Sequence, residues 1–178
     1  MKVHFIIPYS LDKNLGKAYN DAMSLIPEGD SACIMDYDVQ LLTHDAGRII
    51  TQYATENPDK VLTCYTNRIH PLNTEQLLSG KVDDQPNMLA HLITAKKQAN
   101  SAHTMATICN HFSGFLFVLP KEVWKNTPFP ENGECLGVDT EWFKRLKGNQ
   151  VPVMRMNRVY VWHTYRLLNG INNKEHLK

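Results

Sequence analysis

The sequence contains no apolar run long enough to cross a bilayer. The stretches HFIIPY, ACIM and GFLFVLP are each interrupted by polar residues or proline, whereas a spanning helix needs about 18 apolar residues or more. The N-terminus has one lysine and a short apolar stretch but no small-residue cleavage site, which favours a first strand over a signal peptide. We therefore expect no transmembrane segment and a cytoplasmic location. Peripheral contact with the inner face of the membrane, through the basic C-terminal third, stays open.

The sequence also lacks a cysteine framework. Its four cysteines, Cys33, Cys64, Cys109 and Cys135, are far apart and form no C-x-x-C pair. Neither structural zinc nor a set of disulfides is predicted from this spacing. A basic stripe with interleaved aromatic residues is absent as well, so nucleic acid is not a predicted partner.

The composition is typical of one globular domain. The chain has 178 residues, of which 43% are hydrophobic and 21% charged, and a chain of this size buries about 70% of its unfolded surface. We expect a single domain over residues 1–178, with a mobile polar tail at 165–178. The net charge is +1, but acidic residues dominate the first half and basic residues the second. This asymmetry suits either an acidic metal site facing a basic anion-binding wall or an unevenly charged solvated surface.

Apolar periodicity predicts alternating strands and helices. Strand patterns occupy residues 2–9, 31–36 and 61–67, GFLFVLP at 114–120, and one or two strands at 151–163. Helical patterns occupy residues 14–26, 43–57, 74–106 and 139–148, and a loop rich in Gly, Pro and Asn is predicted at 122–137. The order strand, helix, strand at the start suits parallel pairing, and the fold class is therefore α/β.

The first candidate site is Asp36-Tyr37-Asp38, directly after the apolar run SACIM. Residues i and i+2 on a strand face the same side, so both carboxylates are expected to point to one spot at the carboxyl end of the strand. Two adjacent carboxylates repel unless a proton or cation lies between them. The alternative is an acidic turn without a ligand.

Two further candidates lie near the C-terminus. Asp139 begins a predicted helix in GVDTEWFKR, where a general base or a simple helix-capping acid would fit. His163 follows the strand pattern RVYVW, and an imidazole together with two carboxylates would suit Mn²⁺. Basic residues of the same region, Arg145 and Arg166 among them, could hold a diphosphate or an anionic acceptor, or form a solvated surface.

Taken together, these segments resemble the GT-A glycosyltransferases, particularly family 2, whose inverting members use nucleotide sugars. The resemblance covers FIIPYS at 5–10, the N-x-G-x-A-x-N helix and D-x-D strand at 14–39, SGFLFVLPKEVW at 113–124, GVDTEWFKRL at 137–146 and VYVWH at 159–163. It implies a GT-A fold, which is Rossmann-like with a mixed, mainly parallel sheet flanked by helices.

The resemblance also implies roles for individual residues. Asp36, Asp38 and His163 would hold Mn²⁺ or Mg²⁺, with Asp36 also on the nucleotide, and Asp139 would be the general base, in a catalytic segment with Glu141 and Arg145. The nucleotide sugar, most simply a UDP-sugar, would contact a further set of residues: Pro8, Tyr9, Ser10, Asn14, Gly16, Asn20 and Arg166. The acceptor would be a glycan or a lipid-linked molecule.

The chain departs from the family pattern in two places. The helix, strands and acidic segment that normally separate the first strand from the N-x-G helix are absent, and Val138 replaces the acid before the expected base. A GT-A-like binding module without catalysis, a retaining glycosyltransferase and a nucleotidyltransferase therefore remain alternative hypotheses.

Overall fold

A computed structural model describes residues 1–70, 72–132 and 136–165. One sheet runs through these residues, and its strands are β1 (Val3–Ile6), β2 (Ser31–Met35), β3 (Val39–Leu41), β4 (Val61–Thr66), β5 (Met105–Thr107), β6 (Leu116–Pro120) and β7 (Val153–His163). The helices are α1 (Leu15–Ser24), α2 (Ala46–Glu56), α3 (Met88–Ala99), α4 (Lys121–Asn126) and α5 (Val138–Gly148), with a short 3-10 helix at Thr74–Gln76. Within the described ranges, no helix combines the length and apolar character needed to cross a membrane.

The sheet is mixed, with the order β1-β2-β6-β4-β7-β3, and β5 pairs with the first half of β7. Strands β1, β2, β4 and β7 share one direction, while β3, β5 and β6 run the opposite way. The mixed sheet is confirmed, and most of its strands point one way. Because β6 enters antiparallel between β2 and β4, however, only the β1–β2 and β4–β7 pairings are parallel.

Helices cover both faces of the sheet. On β2, Ala32 and Ile34 face the core that contains α1, α4 and α5, whereas Cys33 between them faces the core that contains α2 and α3. The central strand β6 is buried along its whole length. This arrangement explains why SACIM and LFVLP are continuous apolar runs, since a strand covered on both faces has no polar side. The result is one α/β domain with three layers.

Helix α1 illustrates how local sequence sets an element. The Asn14 side chain accepts a hydrogen bond from the Lys17 N–H at 3.1 Å and so caps the first turn. Tyr19 and Met23, four residues apart, turn buried side chains toward β2 and β6. The predicted unit of strand, helix and parallel strand is confirmed by the β1–β2 pairing.

Three sequence-based predictions about elements are wrong in detail. The predicted loop after β6 begins with helix α4, and only part of the 74–106 region is helical, since β5 lies near its end. Asp36 and Asp38 lie in a turn between β2 and β3 rather than on one side of a strand. The predicted C-terminal tail at 165–178 lies outside the described residues except for its first residue, Tyr165.

The strand directions bring several chain segments to one edge of the sheet, which we call the carboxyl edge. Strands β1, β2, β4 and β7 end there, and the oppositely directed β3 and β6 begin there. Open α/β sheets bind ligands at this edge. The acidic turn after β2, the end of β7 and the segment before β6 therefore meet at the same place.

Candidate metal centre and active site

The acidic turn is held at the carboxyl edge by backbone hydrogen bonds. Asp36 extends β2, and its N–H donates to the Phe115 carbonyl at 2.9 Å. The Val39 N–H closes the turn on the Asp36 carbonyl at 3.2 Å. The two acidic side chains remain partly accessible, with 40% of the surface of Asp36 and 18% of that of Asp38 exposed. Both carboxylates are therefore fixed at their backbone and open to a ligand.

His163 reaches the same place from the last position of β7. Its N–H donates to the Asn67 Oδ1 at 2.8 Å, and its ring stacks on Phe115 with ring centres 5.3 Å apart. The side chain is only 2% exposed. Neither ring nitrogen has a hydrogen-bond partner within the described residues. An imidazole buried in this way lacks the partners that buried polar groups normally have.

The distances between these side chains suit a shared cation. His163 Nε2 lies 3.2 Å from Asp38 Oδ1 and 4.0 Å from Asp36 Oδ2, and one ligand atom from each residue fits within 4.8 Å of the other two. Ligands about 2.1 Å from a common octahedral ion would lie about 3 Å apart at right angles and about 4.2 Å apart across the ion. The donor set, two carboxylates and one imidazole, fits a divalent metal ion, and the three residues predicted to bind metal are brought together.

The electrostatics of the site also favour a cation. The pKa of Asp36 is raised to about 7, chiefly by burial and in part by the nearby carboxylates of Asp38 and Asp139, against the opposing effect of His163. Ionisation of a buried carboxyl group is costly when the group is alone, and it becomes favourable when a positive charge shares the site. Asp139 also lies near the cluster, because the Gly114 N–H that binds it is adjacent to Phe115, whose carbonyl binds the Asp36 N–H.

Asp139 stands in the first turn of α5 and is partly buried. Its Oδ2 accepts a hydrogen bond from the Gly114 N–H at 3.1 Å, and its Oδ1 accepts one from the Thr140 N–H at 2.8 Å. Burial raises the pKa of Asp139 above its usual value, although these backbone hydrogen bonds lower it in part. Each carboxylate oxygen has two lone pairs. The side chain is thus fixed in orientation and still able to accept a proton.

Residues 113–115, which precede β6, connect all these groups. The Gly114 N–H holds Asp139, the Phe115 carbonyl holds the Asp36 N–H, and the Phe115 ring packs on His163. A side chain at position 114 would crowd Asp139, since an added Cβ would lie 3.2 Å from the Asp139 Cβ. This short segment is the common support of the site.

The other two residues predicted to be catalytic, Glu141 and Arg145, interact with each other rather than with the metal cluster. Glu141 and Arg145 form an ion pair at 2.7 Å along the surface of α5, and 44% of each side chain is exposed. Such an i,i+4 pair supports the helix. Within the described ranges, neither side chain forms a hydrogen bond or an ion pair with Asp36, Asp38 or His163.

The residues predicted to contact the nucleotide divide into two groups. Pro8, Tyr9 and Ser10 follow β1 at the carboxyl edge, and Tyr9 is 81% exposed. Asn14, Gly16 and Asn20 belong to α1 and its cap, where they make contacts within the fold. Asn20, for example, accepts from the Trp124 Nε1 and the Phe129 N–H and donates to the Phe129 carbonyl. Arg166 lies outside the described residues.

Sequence analysis missed Asn67, which fixes His163. Asn67 is 3% exposed and follows β4 at the carboxyl edge. Its Oδ1 accepts the His163 N–H, and its Nδ2 faces the Asp83 carbonyl at 3.4 Å. The sequence did offer a signal, since Asn67 is a polar residue immediately after the strand pattern VLTCYT. Strands of one direction end at the same edge of the sheet, so this position predicts a residue near the site.

Comparison with protein-family models and with curated protein sequences gave no match to this chain. Fold and site define it as a single-domain α/β protein with a central mixed sheet and an Asp-Asp-His cluster that could hold a metal ion.

Proposed function

We propose that this protein is a metal-dependent glycosyltransferase of the GT-A type, which transfers a sugar from a nucleotide-sugar donor to an acceptor hydroxyl. The observation that carries the proposal is the buried imidazole of His163, which faces two carboxylates and has no hydrogen-bond partner on either ring nitrogen in the described part of the chain. Its position at the carboxyl edge, with Asp139 close by, adds a candidate base to the candidate metal centre. The resemblance of five chain segments to family 2 supports the same activity.

The proposed cofactor is Mn²⁺ or Mg²⁺, held by Asp36, Asp38 and His163. Carboxylate oxygens suit both ions, while the imidazole favours Mn²⁺. When bound, the ion would neutralise the charge that develops on the departing nucleoside diphosphate. In the absence of the ion, the two carboxylates alone would repel the diphosphate.

The proposed general base is Asp139. It accepts the proton of the acceptor hydroxyl as the hydroxyl oxygen forms a bond to the anomeric carbon of the donor sugar. The bond from that carbon to the diphosphate oxygen breaks at the same time, and its electron pair leaves with the diphosphate. Attack from the face opposite the leaving group inverts the anomeric configuration. The hydrogen bonds from Gly114 and Thr140 hold the Asp139 carboxylate in one orientation for this step.

The donor is proposed to be a UDP-sugar and the acceptor a glycan or a lipid-linked molecule. Pro8, Tyr9 and Ser10 follow β1 at the carboxyl edge, where Tyr9 is exposed. The nucleotide would lie against these residues. A contact from Arg145 or Arg166 to the diphosphate is part of the same proposal.

The test is a thermal unfolding panel with UDP, GDP, CDP and dTDP, each with and without Mn²⁺. A ligand at 100 times its dissociation constant stabilises the folded state by about 2.7 kcal/mol. We expect one nucleotide to raise the melting temperature only when Mn²⁺ is present. The nucleotide sugars of that base are then screened for release of nucleoside diphosphate.

Two variants make the panel specific. Asp38→Ala should abolish the metal-dependent shift, whereas Asp59→Ala should preserve it, because Asp59 is an exposed acid at the opposite end of β4. No shift with any nucleotide would refute donor binding and favour the non-catalytic binding module. Transfer of a nucleotidyl group instead of a sugar, or retention of the anomeric configuration, would identify the corresponding alternative.

A further inference from the structure

A buried glutamine clamps the segment that supports the site. Gln76 ends the short 3-10 helix and is 0% exposed. Its Oε1 accepts the Ser113 N–H at 2.7 Å, and its Nε2 donates to the Ser113 carbonyl at 3.0 Å. The side-chain amide therefore binds both polar groups of one backbone residue, as a neighbouring strand would.

A second residue fixes the orientation of this amide. Gln76 Nε2 also donates to the Thr63 hydroxyl at 2.8 Å, and that hydroxyl donates to the Leu116 carbonyl at 2.8 Å. Thr63 is fully buried on β4. The hydroxyl donates its only proton to the Leu116 carbonyl, so it can only accept a hydrogen bond from Gln76. This determines that the amide nitrogen of Gln76, rather than its oxygen, faces Thr63.

The clamp is needed because the sheet ladder does not reach this segment. The pairing of β4 with β6 joins Leu62 and Thr63 to Val118 and Phe117 and stops there. Residues 113–115 lie beyond it, toward the carboxyl edge. Gln76 thus replaces the missing ladder partner on the β4 side, while the Asp36 N–H bonds to Phe115 on the β2 side.

We propose that Gln76 is a positioning residue for the metal centre and the candidate base. It fixes Ser113, and the two residues that follow hold Asp139, Asp36 and His163 through the Gly114 N–H, the Phe115 carbonyl and the Phe115 ring. Removal of the clamp frees one backbone segment and so disturbs all three groups together. The inference rests on the proposed function for its metal, but the clamp acts on the metal-free protein as well.

The experiment replaces Gln76 by methionine, which has a similar length and no hydrogen-bonding amide. The matched control is Asn57→Leu. Asn57 is also a buried amide, with hydrogen bonds to the Tyr53 carbonyl and Lys60, but it lies before β4, at the end of that strand opposite to the site. Both variants lose buried hydrogen bonds, so both should lower the melting temperature, and only one touches the support of the site.

Two readouts distinguish positioning from general destabilisation. The first is the Mn²⁺ dissociation constant, measured by electron paramagnetic resonance. We expect Gln76→Met to raise it at least tenfold and Asn57→Leu to leave it within twofold of the wild-type value. The second is hydrogen exchange in the metal-free protein, where Gln76→Met should accelerate exchange of the Asp36 and Gly114 amides at least tenfold more than Asn57→Leu does.

The outcomes separate the two proposals. If the wild type binds Mn²⁺ and Gln76→Met binds it within twofold as tightly, the positioning role is refuted and the metal centre stands. If the wild type does not bind Mn²⁺, the proposed function is refuted, and the positioning role of Gln76 is then tested by amide exchange alone. Unchanged exchange of the Asp36 and Gly114 amides in Gln76→Met would refute that role. Should Gln76→Met fail to fold, Thr63→Val tests the same clamp with a smaller change. We expect Thr63→Val to raise the Mn²⁺ dissociation constant two- to fivefold, and Thr63→Ser, which keeps the hydroxyl, to bind Mn²⁺ like the wild type.

Discussion

Replacement of Asp36 by asparagine should stabilise the metal-free protein while it removes metal binding. Burial holds the pKa of Asp36 at about 7 in the folded state, against 3.8 for the ordinary group. A raised carboxyl pKa means that ionisation opposes folding. The metal-free wild type should therefore lose stability as the pH rises from about 4 to about 7, and the loss should remain constant above pH 7. Asparagine has a similar shape and carries no charge, so this loss disappears in the variant.

The expected magnitude follows from the pKa and the exposure. A rise from 3.8 to about 7 corresponds to at most about 4 kcal/mol of lost stability above pH 7. Because 40% of the Asp36 side-chain surface is exposed, screening by solvent lowers the expected gain to about 1–2 kcal/mol. For a chain of this size, that gain corresponds to a melting temperature about 2–8 °C higher.

The assay is thermal unfolding in EDTA at pH 8 and at pH 4.5, followed by the same scans in saturating Mn²⁺ at pH 8. Asp36→Asn should exceed the wild type at pH 8 in EDTA, and its advantage should shrink at pH 4.5. Mn²⁺ should then stabilise the wild type and leave the variant unchanged. The exposed Asp59→Asn serves as the control and should follow the wild type throughout. A variant less stable than the wild type at pH 8 in EDTA would refute the argument that a buried charge destabilises this site.

Three further predictions address the base, the metal and the packing. Asp139→Asn should lower turnover at least a hundredfold and leave nucleotide binding nearly intact; full activity would exclude Asp139 as the base. Asp38→Ala should weaken Mn²⁺ and nucleotide binding together in calorimetric titrations, because the ion would bridge them, and unchanged nucleotide affinity would contradict the bridge. Gly16→Ala should cost about 1–3 kcal/mol in chemical unfolding, since its Cβ would lie 1.8 Å from the Pro130 carbonyl oxygen. Gly148→Ala, whose Cβ meets open space, is its control, and equal stability of the two variants would disprove the close approach.

The members of the metal cluster were predictable from the sequence, but the reason for their meeting was not. Asp36 and Asp38 were expected to converge as alternate residues of a strand, whereas they converge because a turn after β2 closes on itself. His163 is one of eight histidines, and its pattern alone does not distinguish it from the others. Its role depends on β7 lying beside β3, which the pairing of Val39 with His163 establishes.

The residues that support the site, Gln76 and Asn67, were hardly predictable from the sequence. Gln76 occurs in the polar segment NTEQLL, where nothing marks it as buried or as a partner of Ser113, 37 residues further on. Asn67 at least follows a strand pattern. A contact between residues so distant in sequence depends on which strands become neighbours in the sheet, and local propensity does not specify the strand order.

From the sequence we could predict the α/β class, the positions of most strands and helices, and the acidic and imidazole groups available for chemistry, because these depend on local periodicity and residue type. Three features could be read only from the folded chain: β6 enters antiparallel between β2 and β4, the residues before it support Asp36, Asp139 and His163, and Glu141 pairs with Arg145 on the surface. Strand order is set by the burial of both faces of the whole sheet, which is a property of the assembled core rather than of any one segment.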